Sequence, residues 1–384
     1  MRRFCLICLI AVPLILSGCS QPKSGKVEVE VIDGVEYVHN PSEPLHPNKM
    51  LSLEEELTFG EDERSEESML IRPRQILVDQ DDNIYISEYM DAVIKVFDKE
   101  GNYLRTFGQK GQGPGEFQSI FDMKFLPDER LITLDFRSRR TSIFNREGVF
   151  IDSHTWRNSH LSIYLIGLDW YVTEENFFQE GKLFIKKYDL DGKEIQTWGE
   201  FTPYKMEIRS SREGTISMGV PYRPQSVFAG DSTQGCFYHC LNDNYLIEVY
   251  DQDGKLFRKI DRPYDPVPFT QEDADEYYAS VDRRQNPVFS DLAREIELPK
   301  VKTITDALGV DDRGYLWVAT NEEKEEGGKT LRAYDIFDSQ GQYDCRIWLD
   351  FTPTAFVRGK IYRIYQDEET GFMTVKRYSA TWRD

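Results

Sequence analysis

Four arginines, one glutamate and one tyrosine are the side chains whose types and positions best fit the binding of a small charged group. They lie in three short stretches, and the candidates are Arg72, Arg74, Glu88, Tyr89, Arg137 and Arg139. A guanidinium group presents parallel N–H donors that match a carboxylate or a sulfate, so an arginine cluster could bind either group in bidentate fashion. Tyr89 could in addition stack on a sugar ring. The alternative is that these residues are exposed loop charges or ion pairs between neighbouring elements.

No motif for a catalytic residue or a metal ion stands out. The sequence contains neither G-x-S-x-G nor H-E-x-x-H, and it has only five histidines. His154 and His160 flank Trp156 and could meet at one site, with a solvated loop as the alternative. We therefore name no catalytic residue and no metal ligand, and we leave enzymatic activity undecided while favouring a binding role.

The cysteines of the central region invite a metal or disulfide interpretation. Cys236 and Cys240 stand in C-F-Y-H-C, in which His239 would be the third ligand. The flanking residues favour a strand, in which two residues four apart are separated by about 13 Å, beyond disulfide reach. His239 would also point to the opposite face of that strand. We predict buried thiols here, and pairing of Cys345 with one of them is left open.

The N-terminus predicts export and lipidation. Arg2 and Arg3 precede the apolar run 4–16, which is too short to span a bilayer but has the length of a signal-peptide core. Leu16-Ser17-Gly18-Cys19 then resembles a bacterial lipobox, in which the thiol is alkylated by a diacylglycerol and the peptide is cut before the cysteine. We expect residues 1–18 to be a lipoprotein signal peptide and Cys19 to be the lipidated anchor.

Charge excludes one class of partner. The chain has 47 basic and 67 acidic side chains, a formal net charge of −20. Binding to a phosphate backbone needs clustered Lys and Arg, so nucleic acid is not expected as a partner. Hydrophobic residues make up 40% and aromatic residues 13% of the chain, which is enough for a large core.

A short repeat indicates the fold. An aromatic residue, Asp or Asn, two variable residues and Gly recur at 97–101, 144–148, 188–192, 250–254 and 337–341. Each copy lies between two alternating runs, so we predict a tight hairpin in which the glycine takes a positive φ. The glycines are 47, 44, 62 and 87 residues apart, and the first two spacings fit a four-stranded propeller blade. The longer intervals contain an irregular insertion at 200–224 and a helical one at 262–303.

The predicted fold class is all-β, a six-bladed β-propeller. Five blades are clear, and the C-terminal strands at 354–357, 360–366 and 372–379 leave the sixth blade one strand short. An N-terminal strand at 49–60 closes the ring and removes an open edge. The expected organisation is a signal peptide at 1–18, a tether and lead-in hairpin at 19–48, and a propeller at 49–384 with the helical insertion 262–303 between blades 4 and 5.

Residues 74–117 carry a resemblance to known proteins. This segment, which ends in G-Q-G-P-G-E-F, resembles an NHL-type repeat. Together with the lead-in Y-V-H-N-P at 37–41, it is similar to the six-bladed NHL-like or TolB-like propeller lipoproteins of Bacteroidetes. The resemblance implies an outer-membrane lipoprotein. The residues after Cys19 lack the acidic stretch that accompanies surface export in that group, so the periplasmic side is favoured and the cell surface is the alternative.

The expected function follows from this plan. In a propeller, the links between blades and the loops between second and third strands share one end, and the candidate side chains fall there. The leading hypothesis is a membrane-tethered extracytoplasmic binding or scaffold protein that needs no cofactor and takes a glycan, a peptide or a partner protein at this end. The alternative implied by the resemblance is a metal-dependent lyase or lactonase-type hydrolase, with calcium in the central channel as the cofactor.

Overall fold

Antiparallel strands account for most of the chain in the computed structural model, which describes residues 25–61, 67–167, 170–177, 181–211, 214–283 and 286–383. The N-terminal segment contributes three strands: β1 (Glu28–Ile32), β2 (Val35–His39) and β3 (Met50–Phe59). Blade 1 then contains β4 (Pro73–Val78), β5 (Ile84–Glu88), β6 (Val93–Phe97) and β7 (Tyr103–Phe107). Blade 2 contains β8 (Ile120–Phe125), β9 (Leu131–Asp135), β10 (Arg140–Phe144) and β11 (Phe150–Thr155).

The third and fourth blades are separated by an extra hairpin. Blade 3 contains β12 (Ser159–Tyr164), β13 (Trp170–Phe177), β14 (Lys182–Asp189) and β15 (Glu194–Phe201). The hairpin is formed by β16 (Met206–Ser211) and β17 (Gly214–Gly219). Blade 4 contains β18 (Ser226–Asp231), β19 (Cys236–Leu241), β20 (Leu246–Tyr250) and β21 (Leu256–Asp261).

Two helices precede the last two blades. They are α1 (Gln271–Asp282) and α2 (Pro287–Glu295). Blade 5 contains β22 (Thr305–Val310), β23 (Leu316–Glu326), β24 (Lys329–Phe337) and β25 (Tyr343–Leu349). Blade 6 contains β26 (Ala355–Val357), β27 (Lys360–Gln366) and β28 (Met373–Arg383), followed in the sheet by β3. The predicted six-bladed fold with a helical insertion between blades 4 and 5 is confirmed.

Closure by the N-terminal strand is confirmed in residue detail. β3 pairs antiparallel with β28 from Met50 opposite Arg383 to Phe59 opposite Val375. The hairpin β1–β2 lies elsewhere, because β2 extends blade 4 by pairing parallel to β21. Asn40 then joins blades 4 and 5, since its backbone N–H donates to Asp261 O and its side chain donates to Gly341 O, both at 2.9 Å. The N-terminal segment therefore fastens blades 4, 5 and 6 together.

The repeated turn forms as its composition predicts. Asp98 Oδ1 accepts hydrogen bonds from the backbone N–H of Glu100 at 3.0 Å and of Asn102 at 2.8 Å. Gly101 completes the turn with a φ of +84°, which costs a residue with a side chain more than it costs glycine. Asn145, Asp189, Asp251 and Asp338 accept from backbone N–H groups at the same position of their own turns.

The turn glycines also set the distance between blades. A Cβ atom on Gly148 would lie 2.3 Å from Cγ of Phe107, which ends β7 of the preceding blade. A Cβ atom on Gly254 would lie 2.4 Å from the indole of Trp198 on β15. The outer strand of one blade therefore packs directly on the turn of the next, which explains why the repeat keeps glycine where both backbone and packing demand it.

The core lies between adjacent blades rather than within one sheet. Between blades 1 and 2, Tyr85, Ile94, Phe117 and Phe144 are buried against each other. Other buried clusters fill the contacts between blades 4 and 5 and between blades 5 and 6. Alternate residues of each strand face opposite neighbours, which is why several strands have both faces buried.

The two insertions differ from each other in structure. Helix α1 begins after Thr270, where the Thr270 side chain and the Asp273 side chain cap each other's backbone N–H groups. The prediction of an irregular stretch at 200–224 is wrong, because β16 and β17 pair there as a regular hairpin. Hairpin and helices pack together around a small core that includes Met218, Val281 and Leu292. We call this hairpin-and-helix unit the cap.

The thiols of the propeller are buried and unpaired. Cys236, Cys240 and Cys345 are each free cysteines, so the disulfide left open for Cys345 does not form among them. Burial raises the pKa of the Cys240 thiol to about 12. Cys19 and the signal segment lie outside the described residues. Within the described ranges, no helix is long and apolar enough to cross a membrane.

Candidate functional site

One end of the propeller gathers nearly all of the long connections. In a four-stranded antiparallel blade, the link that precedes the first strand and the loop between the second and third strands share one end. The cap belongs to this end, because both of its insertions are links between blades. The long hairpin of β23 and β24 also lies at this end and has acidic residues up to Glu326 at its tip. We call this end the top face.

Arg74 lies over aromatic rings at the top face. It stands on β4, and its guanidinium carbon is 3.9 Å from the ring centre of Phe121 and 6.0 Å from that of Tyr89. Its Nε donates to Phe121 O at 2.8 Å. Burial lowers the pKa of Arg74, and neighbouring Asp122 opposes that effect. Arg74 is exposed, and among the described residues neither of its Nη atoms has a hydrogen-bond partner, so both are available as donors.

Arg72 and Tyr89 are joined through their backbones. Tyr89 N donates to Arg72 O at 3.0 Å. The Arg72 side chain is exposed, and its Nη1 lies 3.9 Å from the sulfur of Met90. A contact between a guanidinium and a thioether is weak, so the charge of Arg72 remains accessible to a ligand.

Glu88 has a structural role in the link to blade 1. It is fully buried, and its carboxylate accepts hydrogen bonds from the backbone N–H of Ile71 at 3.1 Å and of Arg72 at 2.7 Å. Burial raises the pKa of Glu88, and these two backbone donors oppose the rise. Asp135 holds the link to blade 2 in the same way. Glu88 therefore places Arg72 but does not itself face a ligand.

The blade 2 arginines separate into accessible and structural residues. Arg137 is exposed, and its side chain has no hydrogen-bond or ion-pair partner in the described part of the chain. Arg139 is exposed, has a φ of +51°, and donates from Nη1 to Arg157 O at 2.9 Å. Arg140 is buried and donates to Gln112 O at 2.8 Å and to Glu116 O, which shapes the G-Q-G-P-G-E-F link.

Aromatic rings connect the accessible arginines of blades 1 and 2. Phe121, under Arg74, lies 5.3 Å from Phe136, ring centre to ring centre. Phe136 directly precedes Arg137 in the loop between β9 and β10. The top face of these two blades thus presents aromatic surface together with Arg72, Arg74 and Arg137. We call this surface the arginine patch.

Asp122, which supports the arginine patch, was not identified as a functional residue from the sequence. Asp122 on β8 accepts from Gln75 Nε2 at 2.5 Å and from Lys124 Nζ at 3.0 Å, and its other oxygen accepts from Ile163 N at 2.7 Å. It thereby ties together the innermost strands of blades 1, 2 and 3. In the sequence, Asp122 is visible only as an acidic residue among apolar ones, and its role depends on the relative placement of three blades.

A further buried acid, Glu174, lies on β13 of blade 3. Glu174 accepts a hydrogen bond from the hydroxyl of Tyr164. Burial raises the pKa of Glu174 to about 7, so the carboxyl group is partly protonated at neutral pH. Glu174 is buried and Tyr164 is half-buried.

The two candidate histidines do not form a shared site. Trp156 lies between them, 4.3 Å from His154 and 4.4 Å from His160, ring centre to ring centre. His160 is buried, and its Nδ1 lies 3.2 Å from Thr173 Oγ1. Within the described ranges, no group of three His, Cys, Asp or Glu side chains is placed to hold a metal ion.

The strand order and blade arrangement define the chain as a six-bladed β-propeller. Residues 58–203 match the model of the family DUF5128, which is described as a 6-bladed beta-propeller. No curated protein matches the chain.

Solved structures extend the similarity over the whole fold. A Bacteroides vulgatus member of the DUF4221 family is 11% identical, with a TM-score of 0.55, covering 87% of this chain and 99% of the other. BF0058, a predicted exported protein of Bacteroides fragilis, is 10% identical, with a TM-score of 0.51, covering 89% and 99%. The resemblance to six-bladed propellers of Bacteroidetes is thereby confirmed at the level of fold. Virginiamycin B lyase of Staphylococcus aureus, 10% identical with a TM-score of 0.43 over 86% and 99%, shares only the general architecture.

Proposed function

We propose that this protein is an extracytoplasmic binding protein whose top face takes an anionic glycan, one that carries carboxylate or sulfate groups. The observation that carries the proposal is the placement of Arg74, an exposed residue whose guanidinium lies on Phe121 and whose Nη atoms have no hydrogen-bond partner among the described residues. An arginine held in this way is pre-oriented for bidentate binding to an acid group. The exposed side chains of Arg72 and Arg137 add positive charge beside it.

The aromatic surface favours a sugar as the rest of the ligand. Tyr89, Phe121 and Phe136 lie in the same patch, and aromatic faces pack on the apolar faces of sugar rings. The remaining top face is acidic along the β23–β24 hairpin, so an anion is attracted to the arginine patch and repelled from the opposite side. A peptide or a partner protein with acidic side chains would use the same arginines and is the alternative ligand.

The proposed location is the periplasmic side of the outer membrane, with the lipid on Cys19 as the tether. The lipobox-like residues 16–19 support it, as does the export predicted for the structurally similar BF0058. A Cys19→Ser variant is expected to leave the membrane fraction and appear in the soluble extracytoplasmic fraction. Persistence of the variant in the membrane fraction would contradict lipidation as the tether.

A glycan array tests the proposed ligand class. The purified mature protein is expected to bind sulfated or uronate-containing glycans in preference to neutral ones, with affinity that falls as salt rises. Arg74→Ala and Arg137→Ala should each weaken binding by about tenfold or more, the scale of one charge-assisted hydrogen bond. Arg130→Ala is the matched control, because Arg130 is in the same blade as Arg137 but at the turn before β9, at the opposite end.

The outcomes separate the proposal from its alternative. Equal binding of neutral and anionic glycans, or equal loss in Arg130→Ala and Arg74→Ala, would refute the arginine patch as the site. Binding of acidic peptides but of no glycan, with the same dependence on Arg74, would keep the site and replace the ligand.

A further inference from the structure

Three side chains of blade 4 form a chain of hydrogen bonds that is unrelated to the arginine patch. His239 Nε2 lies 3.0 Å from Ser226 Oγ, and His239 Nδ1 lies 3.1 Å from Glu248 Oε2. A hydroxyl, an imidazole and a carboxylate in this order are the parts of a serine nucleophile with its general base and its orienting acid. Such a constellation is recognised by geometry, because unrelated folds place it in different sequence orders.

Strand pairing explains how three distant residues meet. Glu248 on β20 is paired directly with His239 on β19. His239 is paired with Phe228 on β18, and Ser226 lies two residues before Phe228. Residues that pair directly, and residues two apart on one strand, share a face of the sheet. Ser226, His239 and Glu248 therefore all point from blade 4 towards blade 3.

The imidazole and the carboxylate are held firmly. His239 stacks on Phe228 at 5.2 Å and meets the edge of Phe201 at 4.8 Å, ring centre to ring centre. Glu248 also accepts from the Tyr250 hydroxyl at 2.9 Å and lies 3.0 Å from Lys259 Nζ.

The ionised state of Glu248 favours one tautomer of His239. The hydrogen bond from His239 and the neighbouring Lys259 and Tyr250 lower the pKa of Glu248 to about 2, so this carboxylate is ionised at neutral pH. An ionised acceptor at Nδ1 favours the tautomer with hydrogen on Nδ1. The lone pair of Nε2 then faces the hydroxyl of Ser226.

Ser226 is oriented from its other side by the backbone. Its Oγ accepts a hydrogen bond from Thr202 N at 3.1 Å, and its own N–H donates to Thr202 O at 2.9 Å. Because the hydroxyl oxygen already accepts from Thr202, its hydrogen is free to point at His239 Nε2. Position and direction of the hydroxyl are thus fixed before any ligand arrives.

The three side chains line an open groove between blades 3 and 4. The groove has a volume of about 500 Å³, and Trp198, Phe201 and Tyr250 form its aromatic wall. A chain of hydrogen bonds that served only the fold would need no such opening. The groove is wide enough for a small acyl group beside the hydroxyl, and the aromatic wall favours an apolar one.

We propose that Ser226, His239 and Glu248 form an acyl-transfer site that hydrolyses carboxylic esters with an apolar acyl group. Ser226 Oγ attacks the ester carbonyl carbon and forms a bond to it while His239 Nε2 takes the hydroxyl proton. The carbon–oxygen bond to the leaving alcohol then breaks, and the alcohol leaves with the proton from His239. A water molecule, deprotonated by His239, attacks the acyl-serine, releases the carboxylic acid and restores Ser226. Ser226 and His239 are the catalytic residues, and Glu248 is a positioning residue.

A fluorophosphonate probe tests the nucleophile directly. In the reaction, Ser226 Oγ bonds to phosphorus, fluoride leaves and His239 takes the proton. The mature wild-type protein is expected to be labelled, with the adduct mapped to the peptide that contains Ser226 by mass spectrometry. The adduct map needs no variant, so it decides the proposal even where a substitution disturbs folding. Absence of any adduct at Ser226 after prolonged incubation would overturn the proposal.

Variants then separate catalysis from structure. Ser226→Ala should abolish labelling, and His239→Gln should slow it by about 100-fold or more, the usual effect of losing a general base. Glu248→Gln should slow labelling and hydrolysis of p-nitrophenyl butyrate while the variant stays folded by circular dichroism, because it removes the charge that sets the tautomer of His239. Equal labelling of Glu248→Gln and wild type would show that Glu248 has a structural role only.

Ser87→Ala is the matched control. Ser87 Oγ accepts a hydrogen bond from the backbone N–H of Gln75 at 3.1 Å, as Ser226 does from Thr202, but no histidine of the described ranges is bonded to Ser87. This variant loses the same kind of backbone contact and should be labelled at the wild-type rate. Loss of labelling in Ser87→Ala to the same extent as in Ser226→Ala would mean that the probe reports folding, and would overturn the assignment.

Discussion

Substitution of Asp335 by asparagine tests how blades 4 and 5 are held together. Asp335 is completely buried, with an exposed fraction of 0%. One of its oxygens accepts from Arg262 Nη2 and from the Tyr245 hydroxyl, each at 2.7 Å. The other accepts from Arg346 Nε and from the Tyr343 hydroxyl, also at 2.7 Å. One buried carboxylate therefore bonds to two guanidinium groups at once.

The expected loss of unfolding free energy depends on the charges that Asp335→Asn leaves buried. The asparagine side chain has nearly the shape of the aspartate but no charge, so Arg262 would remain buried beside Arg346 with only Glu322, at 3.9 Å, as a counter-ion. Arg346 keeps Glu322, which it contacts through two hydrogen bonds of 2.7 and 3.0 Å. Removing one partner of a buried pair costs about 3–5 kcal/mol, and we expect the loss of unfolding free energy for Asp335→Asn to fall in this range.

Urea denaturation at neutral pH, followed by far-UV circular dichroism, measures the loss. The matched control is Asp350→Asn, which removes the same charge from an exposed ion pair with Lys329 and should cost about 0–1 kcal/mol. The pKa of Asp335 is lowered by Arg262 and Arg346 against the effect of burial, so its ionised form stabilises the protein above the unfolded pKa of aspartate. That contribution is lost as pH falls through the lower folded pKa. A cost for Asp335→Asn no larger than that for Asp350→Asn would refute the reasoning.

Two further predictions concern other contacts between blades. Gly148→Ala should lower the free energy of unfolding by about 1–3 kcal/mol more than Gly34→Ala. Both glycines have a positive φ, but only a Cβ on Gly148 would collide with another residue, namely Phe107; equal losses in urea denaturation would contradict a packing role for Gly148. His160 has its pKa lowered to about 3 by burial, with Lys186 and His154 contributing. The unfolded chain binds this proton below about pH 6.5 whereas the folded protein does not. The free energy of unfolding should therefore fall by up to about 1.4 kcal/mol for each pH unit as the pH is lowered from about 6.5 to about 3. His160→Gln should flatten this dependence of unfolding free energy on pH. Parallel profiles of unfolding free energy against pH for variant and wild type would show that another group is responsible.

Local chemistry made the fold readable from the sequence. The aspartate and glycine of each repeated turn act within five residues of each other, so spacing alone identifies them, as for Asp98 and Gly101. The closing strand was found from a missing strand and an alternating segment. The hairpin at 206–219 was not predicted from the sequence, because glycine and serine obscure the alternation of apolar and polar residues in its strands.

The candidate sites were less predictable from the sequence than the fold, because they depend on tertiary contacts. The place of Glu88 at the end of a second strand follows from the repeat, but its use as an acceptor for Ile71 and Arg72 depends on how the link folds back. Ser226 and Glu248 meet His239 only through the register of three strands. The spacing of these three residues along the chain does not indicate the register of the strands, so a motif search cannot identify them as one site.

The cap and the groove of blade 4 share one fixed point. The cap hairpin leaves blade 3 after Phe201 and returns to blade 4 at Ser226, and the two ends are joined by the hydrogen bonds between Thr202 and Ser226. The same Thr202 N–H orients the Ser226 hydroxyl. A displacement of the hairpin that breaks this pair would also release the hydroxyl from its orientation towards His239. The two ends of the cap hairpin therefore meet at the residue that we propose as the nucleophile, so a substitution that breaks the Thr202–Ser226 pair should slow labelling of Ser226 by the fluorophosphonate probe.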